Sequence, residues 1–240
     1  MSDRFKEKKS SKPLYPVNLD VTGKRCLVVG GGAVAARKIK ALLLCGGDVQ
    51  IISPEACKTI VALTESEEIT WLSRAYQSRD VEGAFLVFAA TDSPHIQKQI
   101  AEDAARHHVL LNSADDRELS DFHVPAKIRR GDFVIAISTG GGSPALATLL
   151  RAKLAQEYGA EYGTLVDLMA KIRAQVVGGS SVPDENKALF QAVLDLPVLD
   201  CIRTGNWSEL EKLLSGILPP GINSRQLLAE LENDRDKLSG

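Results

Sequence analysis

The first apolar run of the chain, RCLVV from Arg25, does not alternate with polar residues, which suits a strand covered on both faces, as in a parallel sheet. Three glycines follow. AVAARKIKALLLCG then repeats its apolar positions at helical spacing and closes on Gly46 and Gly47, the usual glycine signal at a helix C-terminus. DVQIISP, ITWLSR, AFLVFAAT and VLLNSA read as further strands, with SPHIQKQIAEDAARHH a helix between the last two. Such alternation predicts parallel βαβ units with right-handed crossovers. FHVPAKIRRGDFVIAIST reads as two strands around a turn at Arg130-Gly131-Asp132, and period alone leaves open whether they continue a parallel sheet or form an antiparallel hairpin. After GGGSP the spacing is helical: ALATLLRAKLAQEYG, TLVDLMAKIRAQVVGG, NKALFQAVLDLPVLDCIRTG and SELEKLLSGIL, with glycines or prolines at the joins.

Composition narrows the possible partners. Hydrophobic residues are 44% and charged residues 25%, ordinary for a globular protein, while aromatics at 5% are too sparse for a base-stacking surface. With 29 Lys plus Arg against 31 Asp plus Glu, no global field holds nucleic acid or an anionic membrane. Any anionic ligand must be gripped by a local cluster. Cys26, Cys45, Cys57 and Cys201 lack CxxC spacing and are read as thiols, not as zinc ligands or disulfides, so no permanent metal site is expected. No apolar run reaches the roughly 20 residues a membrane helix needs, and the polar start MSDRFKEKKSSKP has no apolar stretch behind it. A cytoplasmic protein is expected.

Gly30, Gly32 and Ala35 match G-x-G-x-x-[GA] directly after a predicted strand and at the start of a predicted helix, the context of a Rossmann dinucleotide fingerprint. One glycine allows the tight turn, the second lets pyrophosphate approach the backbone, and a small third residue lets helix and strand pack closely. The second strand ends in Ile52-Ser53-Pro54, where an acidic residue would ordinarily hold the adenosine ribose. No arginine follows directly to favour a 2′-phosphate, so NAD is preferred over NADP, with Ser53 or nearby backbone in the acid's place. A second glycine cluster, Ser138-Thr139-Gly140-Gly141-Gly142-Ser143-Pro144, also separates a strand from a helix. It is either a flexible interdomain turn or an anion-binding loop at a helix N-terminus. Asn112-Ser113-Ala114-Asp115-Asp116 follows a strand at the carboxyl edge, where an aspartate either forms a turn or handles a proton.

VVGGGAVAARKIKALL, FAATD, NSADD and FHVPAKIRRGDFVIAISTGGGSPALATLLRAKL together closely resemble the precorrin-2 dehydrogenase and sirohydrochlorin ferrochelatase family, the N-terminal module of siroheme synthases. The resemblance spans roughly residues 14 to 218. It implies a Rossmann-like α/β parallel-sheet domain, a dimerisation segment with crossing strands, and a small C-terminal helical domain. The expected division is a disordered leader at 1–13, an NAD domain at 14–112, a dimerisation and active-site segment at 113–143, helices at 144–218 and a charged tail at 219–240 that forms one loose helix. The resemblance further implies NAD-dependent oxidation of precorrin-2 to sirohydrochlorin, with Fe2+ insertion as a second activity left open, and a homodimer whose subunits both shape each site. The family's catalytic aspartate falls on Asp115. Its cofactor contacts fall on the glycine turn that begins at Gly30, namely Gly32, Ala33 and Val34, then on Ser53, Pro54 and Glu55, and on Thr91 and Asp92. The many carboxylates of precorrin-2 call for local positive charge and N–H donors, assigned to Lys127, Arg130 and the loop of Thr139, Gly140, Gly141 and Ser143. The chain ends before the methyltransferase module of the fused enzymes, so a separate methyltransferase is expected to supply the substrate. A nucleotide-sensing regulatory domain and an unrelated NAD oxidoreductase are the competing readings.

Overall fold

The structure, a computed structural model, describes residues 13–177 and 183–239; all of the expected leader except Pro13 lies outside them. The chain divides into two units, Met1–Val124 and Pro125–Gly240.

In the first unit, strands β1 (Arg25–Val29), β2 (Asp48–Ile52), β3 (Thr70–Leu72), β4 (Leu86–Ala89) and β5 (Leu110–Ser113) form one parallel sheet in the order β3-β2-β1-β4-β5. Helices α1 (Ala33–Leu43), α2 (Lys58–Glu65) and α3 (Pro94–His107) supply crossovers; α2 lies in a stretch where the pattern had suggested no element. The unbroken apolar run of β1 is explained by its two covered faces. Cys26 and Val28 pack with Ala35, Ile39, Val49 and Ile51, whereas Leu27 and Val29 pack with Val87, Ala89, Ile100 and Leu111. Each Leu or Ile fully buried in this way contributes about 1.5–3 kcal/mol. Ala35, fully buried on α1, is the small residue that lets the helix lie close to the sheet. Strand order reverses between β1 and β4, and such a switch point opens a crevice at the carboxyl ends of the strands.

In the second unit, β6 (Ala126–Arg130) and β7 (Phe133–Ile137) form a separate antiparallel hairpin, which decides between the two pairings the sequence left open. Gly131, at φ +57°, makes the turn. Helices α4 (Pro144–Glu157), α5 (Glu161–Val177), α6 (Pro183–Asp195), α7 (Val198–Thr204), α8 (Trp207–Ser215) and α9 (Ser224–Ser239) follow. The single run predicted from Asn186 is two helices, because Pro197 stands at the N-cap of α7. Gly163 of α5 approaches the hairpin so closely that a Cβ would lie 2.7 Å from the Arg130 carbonyl oxygen. Phe133 stacks on Tyr158 and Tyr162 with ring centroids 5.9 and 5.2 Å apart. The expectation of a loose tail helix is corrected: Leu227, Leu228 and Leu231 of α9 are buried in one core with Leu168, Ile172, Leu210 and Leu214. Apolar residues at 227, 228 and 231 form a helical stripe that the charged surroundings obscure.

Candidate active site

The three glycines after β1 serve different ends. Gly30 has φ +122°, and a Cβ on it would sit 2.2 Å from the Ala90 carbonyl oxygen. A Cβ on Gly31 would sit 1.8 Å from the Glu55 carbonyl oxygen. Both glycines therefore let backbone pass backbone. The Gly30 N–H donates to Ile52 O at 2.9 Å, and Cys57 N–H donates to Gly31 O at 2.8 Å, fastening the turn to the segment after β2. Gly32 has an unstrained backbone, φ −86° and ψ −172°, and a Cβ on it would meet nothing within 4 Å. Neither strain nor protein packing requires glycine here, so the open space it faces fits a ligand's close approach. Gly32 caps α1 without a side-chain hydrogen bond. The first N–H groups of α1 have no intrahelical acceptor, and with the helix dipole they suit a pyrophosphate.

These groups open on a cleft of about 580 Å³ at the carboxyl ends of β1, β2 and β4. Gly30, Gly32, Ala33, Val34, Ser53, Pro54, Glu55, Thr91 and Asp92 all line it. The cleft therefore gathers every residue assigned to the cofactor from the sequence. Gly31, Ala75 and Tyr76 line it too and were not singled out. Gly31 was visible within the GGG run, whereas Ala75 and Tyr76 carry no motif. Trp71 Nε1 donates to Ser53 O at 2.9 Å and Ser73 Oγ donates to Pro54 O at 3.2 Å, which holds the rim after β2 against β3. Tyr76 is buried and donates its hydroxyl to Asp103 Oδ2 at 3.0 Å. Burial, then the Asp103 carboxylate, pushes the phenol well above its usual range, so Tyr76 is a protonated wall and not an acid–base group.

Asp115 and Asp116, adjacent after β5, are used differently. Asp116 Oδ1 accepts the Glu118 N–H at 2.8 Å, the Asx-type turn that aspartate commonly forms. Asp115 Oδ2 instead accepts from Gln97 Nε2 at 3.1 Å. The same nitrogen donates to Thr91 O at 2.6 Å, on the rim of the cleft. Asn112 is structural: its Nδ2 donates to Phe122 O at 2.8 Å, and its Oδ1 accepts from Lys38 Nζ at 3.3 Å.

The residues assigned to substrate carboxylates belong to the second unit. Lys127 and Arg130 lie three apart on β6, and side chains alternate along a strand, so the two do not share a face. Arg130 shares the face of buried Ile128, and its guanidinium donates to Ala155 O of α4 at 3.3 Å and to Arg129 O at 3.1 Å. Thr139 Oγ1 accepts the Ser143 N–H at 3.2 Å, closing the loop in which Gly140 and Gly141 have φ +57° and +76°. Ser143 caps α4 by accepting the Leu146 N–H at 3.2 Å, with Pro144 at the first helical position.

A family described as putative NAD(P)-binding matches residues 17–126, and one described as sirohaem biosynthesis protein, central, matches residues 130–157. Across these stretches the chain is similar to siroheme synthases. It is 35% identical over 199 residues to the siroheme synthase of Pseudomonas fluorescens, covering 83% of this chain and 43% of the relative. The siroheme synthase of Pseudomonas putida is 36% identical over 205 residues, covering 85% of this chain and 44% of the relative. The chain thus spans less than half the length of these relatives. A solved structure described as SirC, precorrin-2 dehydrogenase, superposes with a TM-score of 0.68 at 23% identity, over 92% of this chain and all of that one, and supports the fold. The match to the central siroheme synthase region covers the end of β6, β7, the second glycine loop and α4. Among the described residues, no helix is long and apolar enough to cross a membrane.

Proposed function

We propose that this chain oxidises precorrin-2 to sirohydrochlorin with NAD as the hydride acceptor. The observation that carries the reading is the open space at Gly32, beside an uncapped helix N-terminus in the cleft whose rim is hydrogen-bonded through Gln97 to Asp115. When bound, the nicotinamide accepts the hydride that leaves the macrocycle. The glycine turn and the first N–H groups of α1 hold the pyrophosphate, and the segment from Ser53 to Glu55 faces the adenosine ribose. Asp115 receives the proton released with the hydride. In metal insertion, with Fe2+ as substrate, the same carboxylate collects pyrrole protons.

NAD is preferred over NADP because the described lining carries Glu55 and Asp92 and no lysine or arginine. A 2′-phosphate brought near a carboxylate loses on the order of 1–4 kcal/mol. Lys127, Arg130 and the loop of Thr139, Gly140, Gly141 and Ser143 receive substrate carboxylates. The functional unit is a homodimer in which both subunits shape each site, as the resemblance to the precorrin-2 dehydrogenase family implies. The proposed reaction takes place in the cytoplasm.

The test is incubation with enzymatically made precorrin-2 and either cofactor, followed by absorbance of the macrocycle and of NADH. Wild type should form sirohydrochlorin faster with NAD. Asp115→Ala should lose roughly 100- to 10,000-fold in rate while still binding NAD, and Asp116→Ala should change the rate little. Oxidation at the wild-type rate by Asp115→Ala would sink the assignment. Loss of chelation alone would move Asp115 to the metal-inserting step.

A further inference from the structure

Gln97 is a polar side chain buried on the sheet-facing side of α3, where an apolar residue would satisfy packing alone. Its three side-chain hydrogen bonds are all turned toward the carboxyl ends of β4 and β5. Nε2 donates to Thr91 O at 2.6 Å and to Asp115 Oδ2 at 3.1 Å, and Oε1 accepts from Ser113 Oγ at 3.2 Å. The orientation of the amide is fixed by its partners. A carbonyl oxygen and a carboxylate only accept, so the nitrogen must face them, whereas the Ser113 hydroxyl is free to donate to the oxygen. Ser113 is itself held, because its Oγ accepts the Asp116 N–H at 3.2 Å and its backbone N–H donates to Ser120 Oγ at 2.9 Å. One buried amide therefore joins the rim of the dinucleotide cleft to a carboxylate that is otherwise on an exposed loop.

We infer that Gln97 is a positioning residue that holds the Asp115 carboxylate at a fixed distance from the Thr91 rim of the cofactor cleft, so that proton removal and hydride removal occur at one place on the substrate. The inference rests on the role proposed for Asp115. A catalytic group on a loop needs a second residue to fix its rotamer, and a displacement of about 1 Å in such a group costs on the order of 100-fold in rate. Two N–H groups on one nitrogen are well suited to this. They couple the carboxylate to main chain and not to another mobile side chain.

The experiment measures kcat for precorrin-2 oxidation, the NAD dissociation constant and the thermal midpoint for wild type, Gln97→Leu, Gln97→Glu, Asp115→Ala and the double variant Gln97→Leu/Asp115→Ala. Gln97→Glu keeps the volume and the acceptor for Ser113 but turns an oxygen toward Thr91 O and Asp115. Both Gln97 variants should lose about 10- to 100-fold in kcat, with NAD affinity within about threefold of wild type. In the Asp115→Ala background, Gln97→Leu should cost less than about twofold more, because a residue that acts through another has nothing left to position. Losses that multiply in the double variant would show a general structural role and overturn the inference. If Gln97→Leu does not fold, Ser113→Ala, which frees the oxygen end of the amide and also the Asp116 N–H, takes its place in the same cycle with the same expectation. Wild-type kcat in the Gln97 variants, with activity lost in Asp115→Ala, overturns the inference alone. Wild-type oxidation by Asp115→Ala overturns the reading beneath it.

Discussion

Gly30, Gly31 and Gly32 are chemically identical neighbours whose substitutions should have opposite consequences. A Cβ at Gly31 must displace the Glu55 carbonyl and one at Gly30 the Ala90 carbonyl, so Gly31→Ala and Gly30→Ala should lower the thermal midpoint. A Cβ at Gly32 meets no protein atom within 4 Å, so Gly32→Asp should leave the midpoint near wild type, yet it places a negative charge where the pyrophosphate is proposed to bind. The expected loss in NAD affinity is on the order of 10- to 1000-fold, from a like-charge repulsion of about 1–4 kcal/mol. Calorimetric titration beside a thermal melt checks both halves; NAD affinity retained in Gly32→Asp would move the site elsewhere. The fingerprint itself was legible because its spacing follows from geometry common to all such turns. The difference between Asp115 and Asp116 was not, since both follow one strand and only the folded loop shows which carboxylate accepts its neighbour's N–H and which accepts from Gln97.

Strands and long helices were legible because burial on one or both faces writes a period into the sequence, as in RCLVV and AVAARKIKALL. The wall of the cleft after β3 was not. Ala75 and Tyr76 belong to an irregular segment whose shape comes from specific side chains: Arg74 donates twice to Asp80, at 2.8 and 2.7 Å, and Gln77 N–H donates to Asp80 Oδ2 at 2.7 Å. Burial alone raises the Asp80 carboxyl, but the bonds from Arg74 and Gln77 and the Arg74 charge more than offset it, leaving the group below its ordinary value. A carboxyl lowered on folding stabilises the protein above its unfolded value, and that contribution disappears as pH falls through the folded value. Asp80→Asn should therefore cost about 1–3 kcal/mol near neutral pH, with the gap from wild type closing below about pH 4. Urea melts across this range check it, and a gap that widens toward acid pH would contradict the assignment.

At the scale of the whole molecule, the second unit leaves apolar surface that its own core does not use. Val134 of β7 is 37% exposed, and Leu146 and Leu149 of α4 are 46% and 52% exposed. Leu146 and Leu149, three residues apart, fall on one side of α4, of whose residues only Ala147 is buried. A second copy of this chain is the proposed cover, consistent with the homodimer that the family resemblance implies. The same region carries the second glycine loop, so association would bring two copies of it near one interface. Light scattering should give twice the monomer mass for wild type. Leu149→Glu buries an unpaired charge in the proposed interface, costing on the order of 3 kcal/mol or more, roughly a hundredfold in dimer affinity. That variant should run as a monomer at low micromolar concentration with a folded helical spectrum. Its precorrin-2 oxidation should fall more than its NAD affinity, because the glycine turn, the cleft and Gln97 all lie within the first unit of one chain. A wild-type protein that is monomeric and fully active would refute the shared site, while a Leu149→Glu protein that stays dimeric would place the interface on another face.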